Sequence, residues 1–167
     1  MIRVVREVLE LWEGDCVVRP ARSDGASVTP VARRMETAAG PDILNRLEAM
    51  GELPLCSAVL TAGGDLPVRF LLHVVLQSDQ EPVTVETVRR ATANALARAA
   101  DFGIEAVAFP PLGTHAGQLE SDDAARAMAA AVTEHRMRHE QPTDVVVVVE
   151  SEYDRDVYGR IVGGEQA

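Results

Sequence analysis

The chain contains no lysine: all 16 of its basic residues are arginine. This absence excludes a lysine nucleophile and a lysine Schiff base from any catalytic mechanism. Cysteine is also scarce, and Cys16 and Cys56 stand in apolar runs that match neither a disulfide framework nor a zinc site. No apolar run reaches the roughly 18 residues of a membrane-spanning helix, and residues 1–6 alternate charge with valine, unlike a signal peptide. We therefore expect a protein of the reducing cytoplasm with no membrane contact.

Acidic residues outnumber basic ones by 26 to 16 and give a formal net charge of −10. Nucleic-acid backbones are held mainly by basic surfaces, so nucleic acid is not an expected partner. The 167 residues, 47% of them hydrophobic, suffice for a substantial core without a metal ion or a disulfide. We expect a single domain over residues 1–167, with no metal site and no cofactor.

Short β-branched runs alternate with helical patterns along the chain. Thr29 and Thr84 each precede a helical pattern and are predicted to be N-caps. The run Phe70–Leu76 is apolar almost throughout, as in a strand buried on both faces, and His73 within it is expected to be a core histidine bonded to a backbone group. The pattern predicts an α/β protein, a three-layer α/β/α sandwich around a central mixed sheet. The predicted strands are Ile2–Val5, Cys16–Val18, Ser57–Thr61, Phe70–Leu76, Ala106–Phe109 and Val145–Val149.

The most informative segment follows the strand Ala106–Phe109. Two prolines there open into a loop of small residues, and an alanine-rich helix begins near Ser121. A strand, a small-residue loop and a helix in this order direct backbone N–H groups toward an anion, usually a phosphate. Gly113 and Gly117 have no Cβ and allow a ligand to approach the main chain, and Thr114 adds a hydroxyl. The alternative is that the loop is a plain connection, which is the commoner role of such loops.

The residues Pro110-Pro111-Leu112-Gly113-Thr114-His115-Ala116-Gly117-Gln118 resemble the macro domain motif Pro-Ala-Leu-Gly-Thr-Gly-x-Gly-Gly. The strand Leu72-His73-Val74-Val75 and the turn Ala39-Gly40-Pro41 are similar to the same family, so the resemblance extends from about Ile2 to Val149. Macro domains typically bind ADP-ribose, and some remove ADP-ribose from proteins or deacetylate O-acetyl-ADP-ribose. The resemblance implies the macro domain fold. It also implies ADP-ribose or a related nucleotide as ligand and an ADP-ribosylated protein as a further partner, although a fold alone does not decide activity.

In this family the aspartate of a Gly-Asp-Ile motif accepts a hydrogen bond from the adenine amino group. The motif falls best on Arg6-Glu7-Val8, where Glu7 keeps the carboxylate. An alternative alignment places it on Gly14-Asp15-Cys16, which is locally more similar. Asp15, however, also fits the start of the next family element, Asp-Ala-Ile-Val, with the following spacing intact. We therefore favour Glu7 and keep Asp15 as the alternative.

Two further family elements are substituted. The family's Asn-Ala-Ala-Asn falls on Arg19-Pro20-Ala21-Arg22, and its glycine-rich loop falls on Val28-Thr29-Pro30-Val31. Arginine only donates hydrogen bonds and cannot act as a general base, and Pro30 has no N–H to offer a phosphate.

The two arginines at the first of these elements admit two interpretations. As an anion clamp, Arg19 and Arg22 would supply by side chain the contacts that the glycine amides no longer make. Otherwise they fill a defunct pocket and pair with neighbouring carboxylates, namely Asp15, Asp24 or Glu7.

The resemblance, carried over residue by residue, implies a set of ligand-contacting positions. His115 stands where the family has glycine, and it either strains the loop or donates to an anion from the rim. Phe109 is a packing residue or borders the base, and Asp24 lies in a turn near the ligand. The implied ligand-contacting residues are Glu7, Val8, Arg19, Arg22, Asp24, Val31, Phe109, Leu112, Gly113, Thr114, His115, Ala116 and Gly117.

The substituted elements favour a binding module, which holds ADP-ribose or a related nucleotide diphosphate in a degenerate pocket without efficient hydrolysis. No residue is assigned a catalytic role, because no positioned base replaces the lost asparagine. One alternative is a weak hydrolase that acts on ADP-ribosyl groups or O-acetyl-ADP-ribose. Another is a protein-interaction module with a closed pocket.

Overall fold

The computed structural model describes residues 2–164, and one six-stranded sheet lies at the centre. The strands are β1 (Ile2–Arg6), β2 (Cys16–Arg22), β3 (Ala58–Ala62), β4 (Phe70–Gln77), β5 (Ala106–Phe109) and β6 (Asp144–Val149). They lie in the order β1-β6-β5-β2-β4-β3. Neighbouring strands are parallel except at one edge, where β3 runs antiparallel to β4. The predicted mixed sheet is therefore confirmed.

Five α-helices connect or follow these strands within residues 2–164. The Thr29 hydroxyl accepts from the N–H of Ala32 at 2.9 Å, and the Thr84 hydroxyl accepts from the N–H of Thr87 at 3.1 Å, so both predicted N-caps are confirmed. No helix in this part of the chain is both long enough and apolar enough to cross a bilayer. The helices are α1 (Pro30–Ala39), α2 (Pro41–Ala49), α3 (Val85–Asp101), α4 (Ser121–Arg136) and α5 (Glu152–Gly164).

The core lies on both faces of the sheet, because successive residues of a strand point to opposite sides. Val147 and Val149 of β6 pack on the face that α3, α4 and α5 cover. Val146 and Val148 pack on the other face, where Met35 of α1 joins them. The three-layer sandwich expected from the sequence is confirmed.

Strand β2 is longer than predicted, since it continues past Val18 to Arg22. The extension pairs with β4, whereas the pairing with β5 ends at Val17 opposite Ala108. Pro20 has no N–H for a strand ladder, and it is tolerated because the extension has an open side. The strand therefore carries its polar residues as far as the carboxyl edge of the sheet.

Arg19 is buried in this extension, with 1% of its surface exposed. Its guanidinium donates to the carbonyl of Gly25 and the hydroxyl of Ser27, both at 2.8 Å, and lies 3.3 Å from a carboxylate oxygen of Glu36. Ser27 donates to the same carboxylate at 2.6 Å. The buried cation thus joins β2 to the connection that follows it and to α1.

The same guanidinium orients His73 on β4. Arg19 Nη1 lies 3.1 Å from His73 Nδ1, and because arginine only donates, Nδ1 accepts. Nε2 therefore carries the proton and donates to Thr61 Oγ1 at 2.9 Å. His73 is a core histidine, as expected, but these partners are side chains, so the expected backbone partner was wrong. Burial, with a smaller contribution from the Arg19 charge, lowers the pKa of His73 to about 3.

The stability of the fold should decrease as the pH falls below about 6.5, because His73 stays neutral in the core. In the unfolded chain this imidazole takes up a proton near pH 6.5, whereas in the folded protein it does so only near pH 3. Between these values the unfolded state binds more protons, so the free energy of unfolding falls by on the order of 1.4 kcal/mol per pH unit from this group.

Denaturant unfolding at about pH 7.5, 6.5 and 5.5 measures this dependence. His73→Gln should flatten it, whereas His139→Gln, at an exposed position, should leave it unchanged. Should His73→Gln fail to fold, an NMR titration of the native protein follows the His73 ring directly. Equal pH slopes for the native protein and His73→Gln, or a His73 ring that protonates near pH 6, would contradict the prediction.

Candidate functional site

A cleft of about 210 Å³ opens at the carboxyl ends of the parallel strands β5 and β6. The start of α1 forms one side and the loop after β5 another, while residues that follow β6 form a third. This edge is where open α/β sheets generally bind their ligands. The residues that line the cleft are Leu9, Thr29, Pro30, Val31, Pro110, Pro111, Thr114, His115, Val148, Glu150 and Asp154.

The start of α1, which lines the cleft, has one backbone donor in its first turn that is not bonded within the described residues. The N–H of Ala32 is bonded to the Thr29 hydroxyl, and the N–H of Arg33 donates to the Thr29 carbonyl at 3.1 Å. Pro30 has no N–H. The amide of the first turn without a bond is therefore the N–H of Val31, and it lies at the positive end of the helix dipole.

The loop after β5 contains a short 3-10 turn over His115–Gly117. Within it Ala116 has φ 48° and ψ 37°, the left-handed region, and it directly follows a residue with helical angles. Successive right-handed and left-handed residues turn consecutive N–H groups toward one concave point, an arrangement that binds anions. The loop therefore has a backbone conformation suited to a phosphate, and its Thr114 and His115 line the cleft.

Gly113 lies beneath this loop and is required by packing. Its φ is +86°, and a Cβ there would lie 2.6 Å from Cγ2 of Val88 and 3.0 Å from Cγ1 of Val83. Its neighbours Phe109 and Leu112 are fully buried in the core with α3 and α4. The side chains of Phe109 and Leu112 and the Cβ position of Gly113 face the core, so the ligand contacts that the resemblance implies for these residues would have to come from their backbone.

His115 is half-buried at the rim of the cleft. Its Nε2 lies 2.9 Å from Oε1 of Gln77, so Nε2 carries the proton and donates. Its Nδ1 is buried without a hydrogen-bond partner among the described residues, and burial lowers the pKa of the ring. With Nε2–H directed at Gln77, the neutral form of the ring has no second N–H for an anion, and donation from His115 to an anion stays a prediction.

Both arginines of β2 are bound to carboxylates. Arg19 is buried against Glu36, and the half-buried Arg22 forms an ion pair with Asp79 and lies 4.0 Å from Asp24. Asp24 also accepts from the backbone N–H two residues further on, at 2.9 Å, as in a plain turn. Of the two interpretations, pairing with carboxylates describes this structure, but the principal partners, Glu36 and Asp79, were not among those named from the sequence.

Asp15 and Glu7, the two carboxylates considered for contact with the adenine base, lie at opposite ends of the parallel strands. Asp15 accepts from the N–H groups of Glu105 and Ala106 at 3.1 and 3.0 Å, at the amino end of β5, so it cannot reach the cleft. Glu7 follows β1 at the carboxyl edge, and its N–H donates to the carbonyl of Val149. Glu7 and Val8 are exposed and lie outside the cleft lining.

Of the residues implied by the resemblance, Val31, Thr114 and His115 are brought together in the cleft, and Ala116 and Gly117 complete the adjoining turn. Two lining residues, Glu150 and Asp154, follow β6 and were not among the residues expected from the sequence. A signal was present, since polar residues directly after a buried parallel strand lie at the binding edge. In residues 2–164, no group of three or more His, Cys, Asp or Glu side chains is arranged to hold a metal ion.

Comparisons with known proteins agree with this fold. A profile of the family described as Macro domain matches residues 18–128. A Mycobacterium tuberculosis protein is 32% identical over 124 residues, which are 74% of this chain and 34% of that protein, so the chain spans about a third of this relative. The O-acetyl-ADP-ribose deacetylase of Escherichia fergusonii is 28% identical over 154 residues, 89% of this chain and 87% of that protein. A mutant macrodomain of Oceanobacillus iheyensis with ADPR has a TM-score of 0.88 at 22% identity, over 98% of this chain and 92% of that one.

Gly113→Ala should destabilise the fold by roughly 1–3 kcal/mol, because the new Cβ would meet Val88 and an L residue would have to keep a positive φ. Gly103→Ala is a matched control. Gly103 also has a positive φ, of +64°, but nothing lies within 4 Å of its ideal Cβ, so this variant shows the conformational cost alone, about 1 kcal/mol. Denaturant unfolding compares the two. Equal losses would mean that packing against Val88 does not constrain Gly113.

Proposed function

The chain belongs to the macro domain family, and we propose that it binds ADP-ribose or a related nucleotide diphosphate in the cleft between α1 and the loop after β5, without hydrolysing it efficiently. One observation carries this proposal. The Val31 N–H at the start of α1 and the concave turn at His115–Gly117 lie at the same cleft and offer backbone donors to an anion. The macrodomain with ADPR and the relative named O-acetyl-ADP-ribose deacetylase support the choice of nucleotide.

The contacts proposed for the diphosphate are neutral backbone groups, since Arg19 and Arg22 are occupied by carboxylates. Helix ends and turns attract anions through partial charges that act over short distances. A surface arginine clamp would instead lose much of its attraction as salt is added. The proposal therefore implies a weak dependence of affinity on ionic strength.

The dimensions of the cleft set the expected strength of binding. Its volume of about 210 Å³ is below the roughly 300–1,000 Å³ that is usual for sites that enclose a drug-sized ligand. A nucleotide diphosphate would leave part of its surface in water, and less apolar surface would be buried. We therefore expect micromolar affinity, about −8 kcal/mol, or weaker.

The expected lack of efficient hydrolysis follows from the polar groups near the cleft. Arg22 is permanently charged and accepts no proton. The Nε2–H of His115 is bonded to Gln77 and its Nδ1 is covered, and Glu150 is ion-paired with Arg34. None of these groups is placed to activate a water molecule.

Hydrolysis of O-acetyl-ADP-ribose is a second candidate function, which the deacetylase of Escherichia fergusonii favours. Incubation of the purified protein with O-acetyl-ADP-ribose, followed by chromatography, tests it. Sustained turnover would replace the binding proposal by the enzymatic one. An ADP-ribosylated protein is the macromolecular partner that binding implies, and it serves as a second ligand in the same assay.

Ala116 offers a matched pair of variants that tests the anion site. It is exposed, and both Asp and Asn tolerate the left-handed conformation that it adopts. Ala116→Asp places a negative charge in the concave turn and should weaken ADP-ribose binding roughly tenfold or more, about 1.4 kcal/mol. Ala116→Asn has nearly the same shape without the charge and should bind like the native protein. Isothermal titration with ADP-ribose, with ADP and AMP as controls, measures the affinities.

The outcomes separate three situations. Micromolar binding that Ala116→Asp weakens and Ala116→Asn preserves supports the proposed site. Binding that both variants retain would place the ligand elsewhere. The absence of both heat and a thermal shift with ADP-ribose would overturn the proposal.

A further inference from the structure

We propose that a groove between α3 and the end of α4 is a second anion site, in which Arg90 and Arg138 bind a phosphoryl dianion. The groove has a volume of about 250 Å³ and shares no lining residue with the cleft beside α1. This inference therefore does not depend on the proposed function. The ionisable side chains that line the groove are Arg89, Arg90, Glu134, His135, Arg138 and His139.

The groove is basic although the chain as a whole is acidic. Three of its lining side chains are arginines and one, Glu134, is a carboxylate. Over the whole chain, by contrast, acidic residues outnumber basic ones by 26 to 16. Charges of one sign that line a concave surface raise the local concentration of ions of the opposite sign. The groove is thus a place where this acidic protein attracts anions.

Two of the three arginines have no carboxylate partner. Arg89 pairs with Glu86 at 2.8 Å and with Glu134 at 3.2 Å, and the second pair also neutralises the carboxylate of the groove. Arg90 and Arg138 are exposed, and within residues 2–164 neither forms an ion pair or a side-chain hydrogen bond. Both guanidinium groups therefore have all their N–H donors left for a ligand.

The helix dipole accounts for only part of this cluster. Arg138 and His139 directly follow α4, where cations complement the negative end of a helix. Arg90 lies in the amino-terminal half of α3, where the dipole gives no such reason for a cation. Unpaired charges of the same sign that line one groove repel each other, and an anion between them removes this repulsion.

The chain that carries Arg138 is held in place by His135. The carbonyl of His135 accepts from the N–H of Arg138 at 3.1 Å and from the N–H of His139 at 3.0 Å. The buried His135 ring stacks on that of His139, with centroids 4.6 Å apart, and its Nε2 donates to the carbonyl of Gln141 at 2.8 Å. The backbone beside the groove is therefore ordered before a ligand arrives, which lowers the entropy lost on binding.

The donors of the groove favour a phosphoryl group over other anions. Arg90 and Arg138 belong to different elements, so they reach an anion from two directions. A phosphoryl group has three terminal oxygens and up to two charges, whereas a carboxylate has two oxygens in one plane and a single charge. Nucleic acid is less suitable, because the net charge of −10 repels a long polyanion beyond the groove.

An NMR titration of isotope-labelled protein with inorganic phosphate tests the site, with sodium chloride at equal ionic strength as the reference. The guanidinium N–H signals of Arg90 and Arg138 should shift together and saturate in the millimolar range. Arg90→Gln and Arg138→Gln should each weaken binding roughly tenfold, the loss typical of a hydrogen bond to a charged group. Arg98→Gln is the matched control, since Arg98 lies on α3, is exposed and does not line the groove.

Two further arms identify the ligand and separate this site from the cleft. Methyl phosphate, titrated in the same way, shows whether the groove takes a phosphate ester as well as the free ion. Ala116→Asp changes only the cleft, so phosphate should shift the signals of Arg90 and Arg138 in this variant as in the native protein. Loss of ADP-ribose binding in Arg90→Gln is not expected, because the groove and the cleft have no residue in common.

Saturable shifts that weaken in Arg90→Gln and Arg138→Gln and persist in Arg98→Gln support the proposal. It is overturned if phosphate causes no more shift than chloride, or if Arg98→Gln weakens binding as much as the other two variants. A single-stranded oligonucleotide that shifts these arginines where phosphate does not would also overturn it, in favour of a nucleic-acid surface. Failure of ADP-ribose to bind the cleft would refute the proposed function and leave this site unaffected.

Discussion

A cation buried in the sheet organises the part of the molecule that surrounds the cleft. Arg19 of β2 is 1% exposed, and its guanidinium contacts groups on β4, on α1 and on the connection between β2 and α1. Removing a charge of this kind from water costs several kcal/mol, which the Glu36 carboxylate and three neutral acceptors offset. Such a pair adds little net stability, but loss of one partner leaves the other charge uncompensated. The position of α1, and with it one wall of the cleft, therefore depends on this cluster.

The sequence allowed the regular parts of the fold to be predicted because their signals are local. A threonine cap or an apolar run depends on neighbours within one turn or one strand. The structure confirms the caps at Thr29 and Thr84 and the buried apolar strand β4. The extension of β2 was missed because Pro20 is normally unfavourable in a strand. Its tolerance depends on where the pairing with β5 ends, and that is a property of the assembled sheet.

The part of the candidate site that one continuous segment forms could be predicted from the sequence. The loop after β5 was located from its own residues, but the partners of Arg19 and Arg22 lie 17 and 57 residues away in the chain. Local similarity pointed to Asp15 and the spacing of the next element to Glu7, and neither signal shows which end of the strands a residue occupies, because that depends on strand direction. Asp154 was missed for the same reason, since its place at the cleft requires β6 to lie beside β5.

A chain with a net charge of −10 is an unfavourable long-range environment for an anionic ligand. Binding as proposed would therefore rely on short-range groups: a helix start and a concave turn whose partial charges act within a few ångströms. The carboxylates of Glu150 and Asp154 also line this cleft. A negative group beside a phosphate opposes binding. The partial positive charges of the helix start and the turn therefore have to outweigh both the net charge of the chain and these two carboxylates.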